Sequence, residues 1–584
     1  MTRAPDDLRT VEMAFVVLPA RSDAPADDAL LYLPGGPGQD FSSFTSSFLG
    51  SETIARLRAR RDVVLIDPRG SGLSRPRLCP ALDQPELVYP TLFGEDWATV
   101  TKRAEDAFRG CRTTLDEAGI DPDAFGAADV ADDVEALRVA LGYRRWTIRG
   151  HSYGSRFAQE VLRRNPDTVR AAILSGVWPA RPYTEEGIVS MTVAALEQTL
   201  DDCAASEPGR SAFPDLKART TRLLDRLADS PIPIDFLGNP VGRPLVLDAS
   251  TLLAALVQLH YAKGGVQVVP LLLHTLDEGE TQPIASLVSG LLSFQLRMRH
   301  DMRHITMCND DPYRDDFDPA LPVQGALARA IRAHWSPRAK SYWGIELHCD
   351  ELGIPPPSSE PVEFDGPVLL LSGRYDTLTP PRLAQEVAAF MPRHVERVVP
   401  DRGHDASDGL GPLVANFVEH PDRPPDLEAV AAIEPLRFET DVRVAPGLAR
   451  TLSAASAGEL SRLLAVAACA ALLLTGVVGL PISALRRSGP SRPPWLTWAC
   501  AGLGVAFLAG LAAAVASTSN PFVLAFGLPG TIGAVLVGPY LLLTLLGLAI
   551  LREASSWRRG PIAVIATWLG AAGLVVAALL LDLV

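Results

Sequence analysis

The most informative segment of the sequence is Arg145-Trp-Thr-Ile-Arg-Gly-His-Ser-Tyr-Gly154. Its first five residues predict a β-strand, and the residues that follow it, Ser155 to Arg164, predict a helix. Between them stands the pattern Gly-x-Ser-x-Gly, which puts Ser152 on a tight turn from strand to helix. Such a turn exposes the hydroxyl and strains the backbone, so glycine is required on both sides. The stretch therefore predicts an α/β fold with Ser152 as a candidate nucleophile.

Short apolar runs separated by helical periodicity extend this α/β pattern on both sides. Strands are predicted at 12–18, 29–33, 62–66, 145–149, 171–175, 367–372 and 396–399. Residues Val130 to Leu141 predict one of the intervening helices, with Val134 and Leu137 on its apolar stripe. The interval from Trp178 to Pro361 breaks the alternation and is mainly helical in pattern. It therefore predicts a helical insertion.

Two further residues follow predicted strands and suit Ser152 as partners. Asp376 comes directly after an apolar strand, where a buried acid can orient an imidazole; the alternative is a helix N-cap. His404 stands in a glycine turn after the last strand. The chain order Ser, acid, His is the order that a nucleophile elbow of this kind uses. Upstream, the turn Leu33-Pro-Gly-Gly-Pro-Gly38 offers a backbone N–H to an oxyanion, or is a plain turn.

With these residues, the chain resembles the prolyl aminopeptidase and tripeptidyl aminopeptidase family of α/β-hydrolase serine peptidases over residues 5–420. The most specific motifs are Gly35-Gly-Pro-Gly38, the loop Asp67-Pro-Arg-Gly-Ser-Gly-Leu-Ser74, and the elbow with tyrosine after serine. The resemblance implies an α/β-hydrolase fold with a helical cap. It assigns these roles: nucleophile Ser152, orienting acid Asp376, general base His404, and oxyanion-hole N–H groups of Gly36 and Tyr153. It also implies that Asp67, Arg69 and Ser74 stabilise the loop beside the site.

The resemblance has two departures. Pro34 stands where prolyl aminopeptidases usually have histidine, which looks more like the tripeptidyl branch and leaves specificity open. The resembling sequences also begin with extra residues before the segment matched here by Arg9 to Met13. An aminopeptidase also needs a negative group near the α-amine of its substrate. The candidates in the insertion are two acidic pairs, Glu185 with Glu186 and Asp201 with Asp202. The alternative is that these acids form a solvated helix face.

The C-terminal part of the chain is far more apolar than the rest. The 54 basic and 68 acidic residues leave a net charge of −14, which argues against a nucleic-acid partner. Three long runs after residue 462 lack charged side chains, and they predict four membrane helices at roughly 462–483, 495–516, 528–551 and 561–581. The second and third helices are separated by the polar turn Ser517 to Pro521. The alternative is a buried helical bundle, which requires polar outer faces that these segments lack.

The arginines in the loops between the predicted helices indicate which side of the membrane each loop faces. The first and third loops between them are basic and the second has no charge, so the first and third are expected on the cytoplasmic side. Residues 1–460 are then extracytoplasmic, at the cell membrane. The N-terminal residues Met1 to Asp7 have no apolar h-region, so an exported chain is expected to have lost the start of its sequence.

Five cysteines lie in the part of the chain predicted to be extracytoplasmic. In an oxidising compartment the expected pairs are Cys79 with Cys111 and Cys308 with Cys349, since each pair is close in sequence. Cys203 is left over, as a free thiol or as one that has lost its partner. The alternative is five buried reduced thiols in a cytosolic domain.

These observations divide the chain into five segments: 1–177 and 362–420 as the two parts of the hydrolase core, 178–361 as the cap, 421–460 as a linker, and 461–584 as four transmembrane helices. The leading hypothesis is a membrane-anchored serine aminopeptidase. The alternatives are an esterase on the same triad and a non-catalytic membrane receptor or scaffold. Peptide substrate and membrane lipid are the expected partners, without nucleic acid, cofactor or metal. The oligomeric state is left open.

Overall fold

The computed structural model describes residues 10–41, 51–84, 87, 93–181, 185–235, 242–295, 298–310, 322–335, 349–355, 360–425, 427–456, 495–530 and 562–580, with short runs between 464 and 478 and between 539 and 548. The described residues fall into two compact units. The first lies within Met1–Ile234, Pro240–Pro270 and Leu291–Phe438, and the second lies within Asp235–Asn239, Leu271–Gly290 and Glu439–Val584.

A seven-stranded sheet forms the centre of the first unit. The strands of this unit are β1 Phe15–Leu18, β2 Asp28–Leu33, β3 Val63–Ile66, β4 Arg145–His151, β5 Val169–Ser175, β6 Ile232–Ile234, β7 Leu245–Leu247, β8 Val368–Gly373 and β9 His394–Val399. The sheet order is β1-β3-β2-β4-β5-β8-β9, and β6 pairs with β7 in a separate ribbon. Strand β1 runs antiparallel to β3, and the other neighbours in the sheet are parallel. All seven predicted sheet strands are confirmed.

The register of the sheet brings the loops of interest to one edge. Leu33 at the end of β2 pairs with Gly150 of β4, and His151 pairs with Ser175 at the end of β5. The carboxyl ends of these parallel strands therefore lie side by side, which is where open α/β sheets bind their ligands. Strands β2, β3 and β8 are buried along their whole length, as parallel strands covered on both faces are.

Helices accompany the strands of the core. Outside the interval from β5 to β8, the first unit contains the helices Glu52–Leu57, Trp97–Glu117, Ala127–Leu141, Tyr153–Arg164, Pro381–Ala388, Gly411–Glu419 and Glu428–Ala431. The helix predicted from Val130 begins three residues earlier, at Ala127, because Gly126 and Asp129 form its N-terminal cap.

The interval between β5 and β8 is mainly helical, as the sequence predicts for its insertion. Its helices are Glu185–Ala205, Glu207–Ala212, Leu216–Asp229, Ala249–Leu259, Lys263–Asp277, Gln282–Gln295, His300–Asp310, Ala326–His334 and Cys349–Leu352. The ribbon of β6 and β7 was not predicted. Its strands have three residues each, which is too short for a period of two to be recognised in a sequence.

The second unit contains a short ribbon and apolar helices. Strand β10, Val442–Val444, pairs antiparallel with β11, Gly527–Pro529. After residue 439, the helices described in this unit include Pro446–Ser456, Trp495–Ser517 and Ile562–Leu580. The sequence predicts a linker over 421–460, but its second half is folded, because Ala445 and Leu448 are buried in the apolar cluster of this unit. The helix ending at Ser517 agrees with the polar turn predicted there.

Among the described residues, the helix Trp495–Ser517 is the one that is long and apolar enough to cross a membrane, judged by length and composition. The helix Ile562–Leu580 lies in the fourth predicted span, and its apolar part, Ile565–Leu579, is shorter. The spans predicted at 462–483 and 528–551 fall largely outside the described residues. The four-helix arrangement therefore stays a prediction.

Candidate active site

The turn at Ser152 has the strained geometry that the Gly-x-Ser-x-Gly pattern predicts. Strand β4 ends at His151 and the helix begins at Tyr153. Between them, Ser152 has φ 55° and ψ −128°, a conformation with positive φ that residues other than glycine rarely adopt. Its N–H donates to the carbonyl of Ser175 at 2.9 Å. The neighbouring strand thereby holds the serine at the carboxyl edge of the sheet.

The two glycines that flank the turn are required by close backbone contacts. A Cβ on Gly150 would lie 2.4 Å from the carbonyl oxygen of Gly154. A Cβ on Gly154 would lie 2.1 Å from the carbonyl oxygen of Leu33 in β2. Real Cβ atoms do not approach backbone oxygens this closely, so the spacing of the motif is a packing requirement.

Ser152, His404 and Asp376 are brought together by three separate loops. The Nε2 atom of His404 lies 2.8 Å from Ser152 Oγ, and its Nδ1 atom lies 2.9 Å from Asp376 Oδ2. Ser152 lies 252 positions before His404 in the chain, and the parallel sheet brings their loops to the same edge. Both Asp376 and His404 are buried. The arrangement has the geometry of a nucleophile, a base and an orienting acid.

Asp376 is held as a carboxylate by its hydrogen bonds. Its Oδ1 accepts from the backbone N–H groups of Leu378 and Thr379, each at 2.8 Å. Burial disfavours the charged form, but the adjacent His404 ring and the hydrogen bonds from Thr379 outweigh it and hold the pKa of Asp376 below its ordinary value. These backbone bonds belong to the turn before the helix Pro381–Ala388, whose N-cap is Pro380, so the N-cap alternative for Asp376 is wrong.

Thr379 belongs to this network, and sequence reasoning missed it. Its hydroxyl donates to Asp376 Oδ2 at 2.7 Å, and its oxygen lies 3.0 Å from Nδ1 of His404. A proton on Nδ1 therefore has two acceptors, which leaves Nε2 of the neutral ring free to accept the serine proton. The signal available in the sequence was its position three residues after Asp376, which by itself indicates only a turn.

His151 is a second histidine near the site. Its ring centroid lies 5.1 Å from that of His404, and its Nδ1 lies 3.2 Å from Ser175 Oγ. Burial, together with the neighbouring His404 and Arg149, lowers the pKa of His151 to about 3. His151 is therefore neutral at physiological pH and adds no positive charge beside the base.

The loop after β2 lies against Ser152. A Cβ on Gly35 would lie 3.1 Å from the Cβ of Ser152, and Gly36 has φ 110°, which favours glycine. Tyr153 begins the helix after the elbow, and backbone N–H groups in the first turn of a helix point toward its N-terminus. Gly36 thus follows the residue that contacts Ser152, and Tyr153 follows Ser152 itself in the chain.

The side chains of the loop from Asp67 to Ser74 stabilise this loop and the chain at Phe41. The carboxylate of Asp67 accepts from the backbone N–H of Phe41 at 2.7 Å and from that of Leu73 at 2.9 Å. The Ser74 hydroxyl donates to the Asp67 carbonyl, and Arg69 forms ion pairs with Asp129 and Asp133. These side chains are engaged within the scaffold, which is the stabilising role that the resemblance implies.

The acids proposed for substrate binding have other partners. Glu186 forms an ion pair of 2.6 Å with Arg332, and the side chain of Glu185 lies outside the described residues. Asp201 is exposed and binds Lys217 Nζ at 2.9 Å, on the neighbouring inserted helix. Asp202 binds Arg374 and Tyr375. Among the described residues, no group of three or more His, Cys, Asp or Glu side chains is arranged to hold a metal ion.

Two disulfides are present in the first unit. Cys79 is bonded to Cys111, and Cys308 is bonded to Cys349, so both predicted pairs are confirmed. Cys203 is a free, buried thiol, and burial raises its pKa to about 12. Both disulfides lie in the hydrophobic cluster around Phe108 and Leu115. The first disulfide joins the loop at Cys79 to the helix Trp97–Glu117, and the second joins the helix His300–Asp310 to the short helix Cys349–Leu352.

Comparison with known proteins agrees with this architecture. The α/β-hydrolase fold family model matches residues 28–242. Serine protease Hip1 of Mycobacterium tuberculosis is 31% identical over 174 residues, which is 28% of this chain and 32% of that protein. Tripeptidyl aminopeptidase of Streptomyces lividans is 30% identical over 156 residues, which is 26% of this chain and 28% of that protein.

Proline iminopeptidase of Neisseria meningitidis is 26% identical over 153 residues, which is 26% of this chain and 34% of that protein. The chain therefore matches only about a third of the length of these curated relatives. The sheet topology and the matching family model establish the α/β-hydrolase fold.

Proposed function

We propose that this chain, whose first unit has the α/β-hydrolase fold, is a membrane-anchored serine aminopeptidase that hydrolyses peptide bonds near free N-termini. The observation that carries the proposal is the Ser152–His404–Asp376 network on a strained strand-to-helix turn. The peptidase class is supported by the relatives that the chain resembles, which are a serine protease, a tripeptidyl aminopeptidase and a proline iminopeptidase.

The proposed reaction is a two-step acyl transfer. Ser152 Oγ forms a bond to the scissile carbonyl carbon, and its proton moves to Nε2 of His404. The carbon–nitrogen bond then breaks, and the same proton passes to the leaving amine. In the second step a water molecule gives a proton to Nε2 and attacks the acyl-enzyme. The acid product leaves, and the proton returns to Ser152. Asp376 stays ionised throughout and holds the imidazolium that forms in each step.

The oxyanion of the tetrahedral intermediate would be stabilised by the N–H groups of Gly36 and Tyr153. Gly36 follows Gly35, the residue of the loop after β2 that contacts Ser152, and Tyr153 is the first residue of the helix after Ser152. Backbone donors of this kind need no reorganisation during the reaction. Losing one typically costs about 100- to 1000-fold in rate.

The hydrolase unit is proposed to lie on the extracytoplasmic side of a cell membrane. Two features support this placement. Both disulfides occur in the hydrolase unit, and disulfides persist in oxidising compartments. The helix Trp495–Ser517 is apolar enough to anchor the chain, and the first and third loops between the four predicted spans are basic, which favours a multi-pass arrangement.

The catalytic proposal is tested with the full chain in detergent and a panel of substrates. The panel contains prolyl, alanyl and tripeptidyl amides with free and blocked N-termini, together with simple esters. We expect cleavage confined to free N-termini and abolished by Ser152→Ala. Turnover of esters alone would replace the peptidase by an esterase, and equal turnover by wild type and Ser152→Ala would refute the serine mechanism.

The membrane placement needs a separate experiment on intact cells. We expect a membrane-impermeant thiol reagent, applied after reduction, to label the cysteines of the hydrolase unit. With four spans and the hydrolase unit outside, the end after Val584 also lies outside, so a tag placed there should be cleaved by added protease. Protection of the tag would contradict the four-span arrangement.

A further inference from the structure

We infer that the helical insertion is part of the catalytic machinery, because it holds both loops that carry the acid and the base, with Asp202 as the positioning residue for the acid. The inference rests on the proposed serine hydrolase function. It assigns Asp202 a role different from the one considered on charge and location, which was to bind the substrate amine.

Asp202 connects the first inserted helix to the loop after β8. Its Oδ2 accepts from Arg374 Nε at 3.0 Å and from the Tyr375 hydroxyl at 2.8 Å, and its Oδ1 lies 3.2 Å from Arg374 Nη2. These two partners immediately precede Asp376 in the chain. Although partial burial opposes ionisation, the hydrogen bonds from Arg374 and Tyr375 outweigh it and hold the pKa of Asp202 below its ordinary value.

A second contact of the insertion, made by the turn from His260 to Lys263, holds the loop that carries His404. The backbone N–H of His404 donates to the carbonyl of His260 at 2.9 Å, and that of Asp405 donates to the carbonyl of Tyr261 at 2.9 Å. The ring of Tyr261 meets the His404 ring edge-on, with centroids 4.9 Å apart. Nearby, Lys263 Nζ binds Asp401 Oδ2 at 2.6 Å. The turn from His260 to Lys263 thus fixes the backbone of the base and packs on its ring.

The two contacts are joined through the ring of His260, which is fully buried. Its Nδ1 lies 2.7 Å from the carbonyl oxygen of Leu256, and its Nε2 lies 2.9 Å from Thr199 Oγ1. Thr199 lies on the same helix as Asp202, one turn before it. The insertion therefore contacts the loop of Asp376 through the helix Glu185–Ala205 and the loop of His404 through the turn at His260. These two elements are hydrogen-bonded to each other.

The nucleophile is positioned differently. Ser152 N–H binds the carbonyl of Ser175 in β5, and the elbow is packed against β2 through Gly154. These contacts belong to the core sheet. A disturbance of the contact at Asp202 should therefore move Asp376 relative to His404 while the serine keeps its place. Displacements of about 1 Å in such networks cost up to about 100-fold in rate.

The experiment compares Asp202→Asn with Asp201→Asn in the full chain. The two aspartates are neighbours on one helix and receive the same change, but Asp201 is exposed and contacts Lys217 instead of the acid loop. Three quantities are measured: kcat and KM for a peptide with a free N-terminus, the same constants for an uncharged ester, and the rate at which an uncharged fluorophosphonate labels Ser152. Tyr375→Phe removes one bond to Asp202 and keeps the ring, so it serves if Asp202→Asn does not fold.

We expect Asp202→Asn to lower kcat about 10- to 100-fold for both substrates, with KM changed by less than about twofold, and to slow labelling of Ser152 similarly. Tyr375→Phe should show a smaller effect in the same direction, and Asp201→Asn should match wild type. A raised KM for the peptide alone would make Asp202 a substrate-binding residue and overturn the inference, as would wild-type kinetics in the folded variant. Hydrolysis that survives in Ser152→Ala would instead refute the proposed function.

Discussion

Thr379→Val removes one hydroxyl from the centre of the proposed triad and leaves its shape almost unchanged. The lost contacts are the bond to Asp376 Oδ2 at 2.7 Å and the approach to His404 Nδ1 at 3.0 Å. A hydrogen bond to a charged group contributes about 1.5–3 kcal/mol, which corresponds to about 10- to 150-fold in rate if it is realised fully in the transition state. The backbone bonds from Leu378 and Thr379 to Asp376 Oδ1 remain, so we expect the lower end, a fall in kcat of about 10-fold.

The assay is steady-state hydrolysis of the best substrate of the panel, with the melting temperature measured in parallel. Thr379→Ser is the matched control, because it keeps the hydroxyl and should keep most of the activity. KM should change little in both variants, since the hydroxyl lies behind the histidine and away from Ser152. A wild-type kcat in Thr379→Val, with the fold intact, would show that Asp376 alone orients His404 and would refute the role given to Thr379.

Three further predictions concern stability. Gly154→Ala should lower the free energy of unfolding by about 3 kcal/mol or more, because its Cβ would lie 2.1 Å from a carbonyl oxygen of β2. Gly110→Ala is the control: no atom lies within 4 Å of its Cβ, so it should raise the free energy of unfolding by about 0.5–1 kcal/mol. Urea unfolding of both variants measures the two changes. Burial raises the pKa of Asp310 to about 6, so the folded state keeps a proton that the unfolded chain has released, and stability falls as the pH rises from about 4 to about 6. Asp310→Asn should not show this fall, so its free energy of unfolding relative to wild type should increase by about 3 kcal/mol between pH 4 and pH 7. If the two proteins lose stability in parallel over this pH range, the prediction is wrong. Replacing Cys308 and Cys349 by alanine opens a link across 41 residues and should cost about 4 kcal/mol, and an unchanged urea midpoint would show that this disulfide does not constrain the unfolded chain.

The sequence was sufficient for the elements whose signals are local. The seven sheet strands were predictable because each is a short apolar run followed by turn residues. The elbow was predictable because its glycines are required by contacts of the motif with its own backbone and with β2. The disulfide pairs followed from short separations along the chain. The ribbon of β6 and β7 escaped because three-residue strands have no recognisable periodicity.

The partners of polar side chains were beyond the sequence. Asp202 and Glu186 have the same charge and lie on the same inserted helix, yet one binds the loop of the acid and the other binds Arg332. Nothing near either residue in the chain distinguishes them, because their partners are more than 100 residues away. Likewise, Thr379 is one of many threonines in turns until the fold brings His404 to its hydroxyl.

The α/β class, the candidate nucleophile and the chain order of its partners could be predicted from the sequence, because covalent spacing and backbone sterics act over a few residues. The side chains that surround the proposed triad could be identified only in the folded protein. The parallel sheet brings loops from distant parts of the chain to one edge, and burial there makes each unpaired polar group costly. Under that constraint Thr379, Asp202 and the turn at His260 acquire their contacts, and none of these contacts leaves a local trace in the sequence.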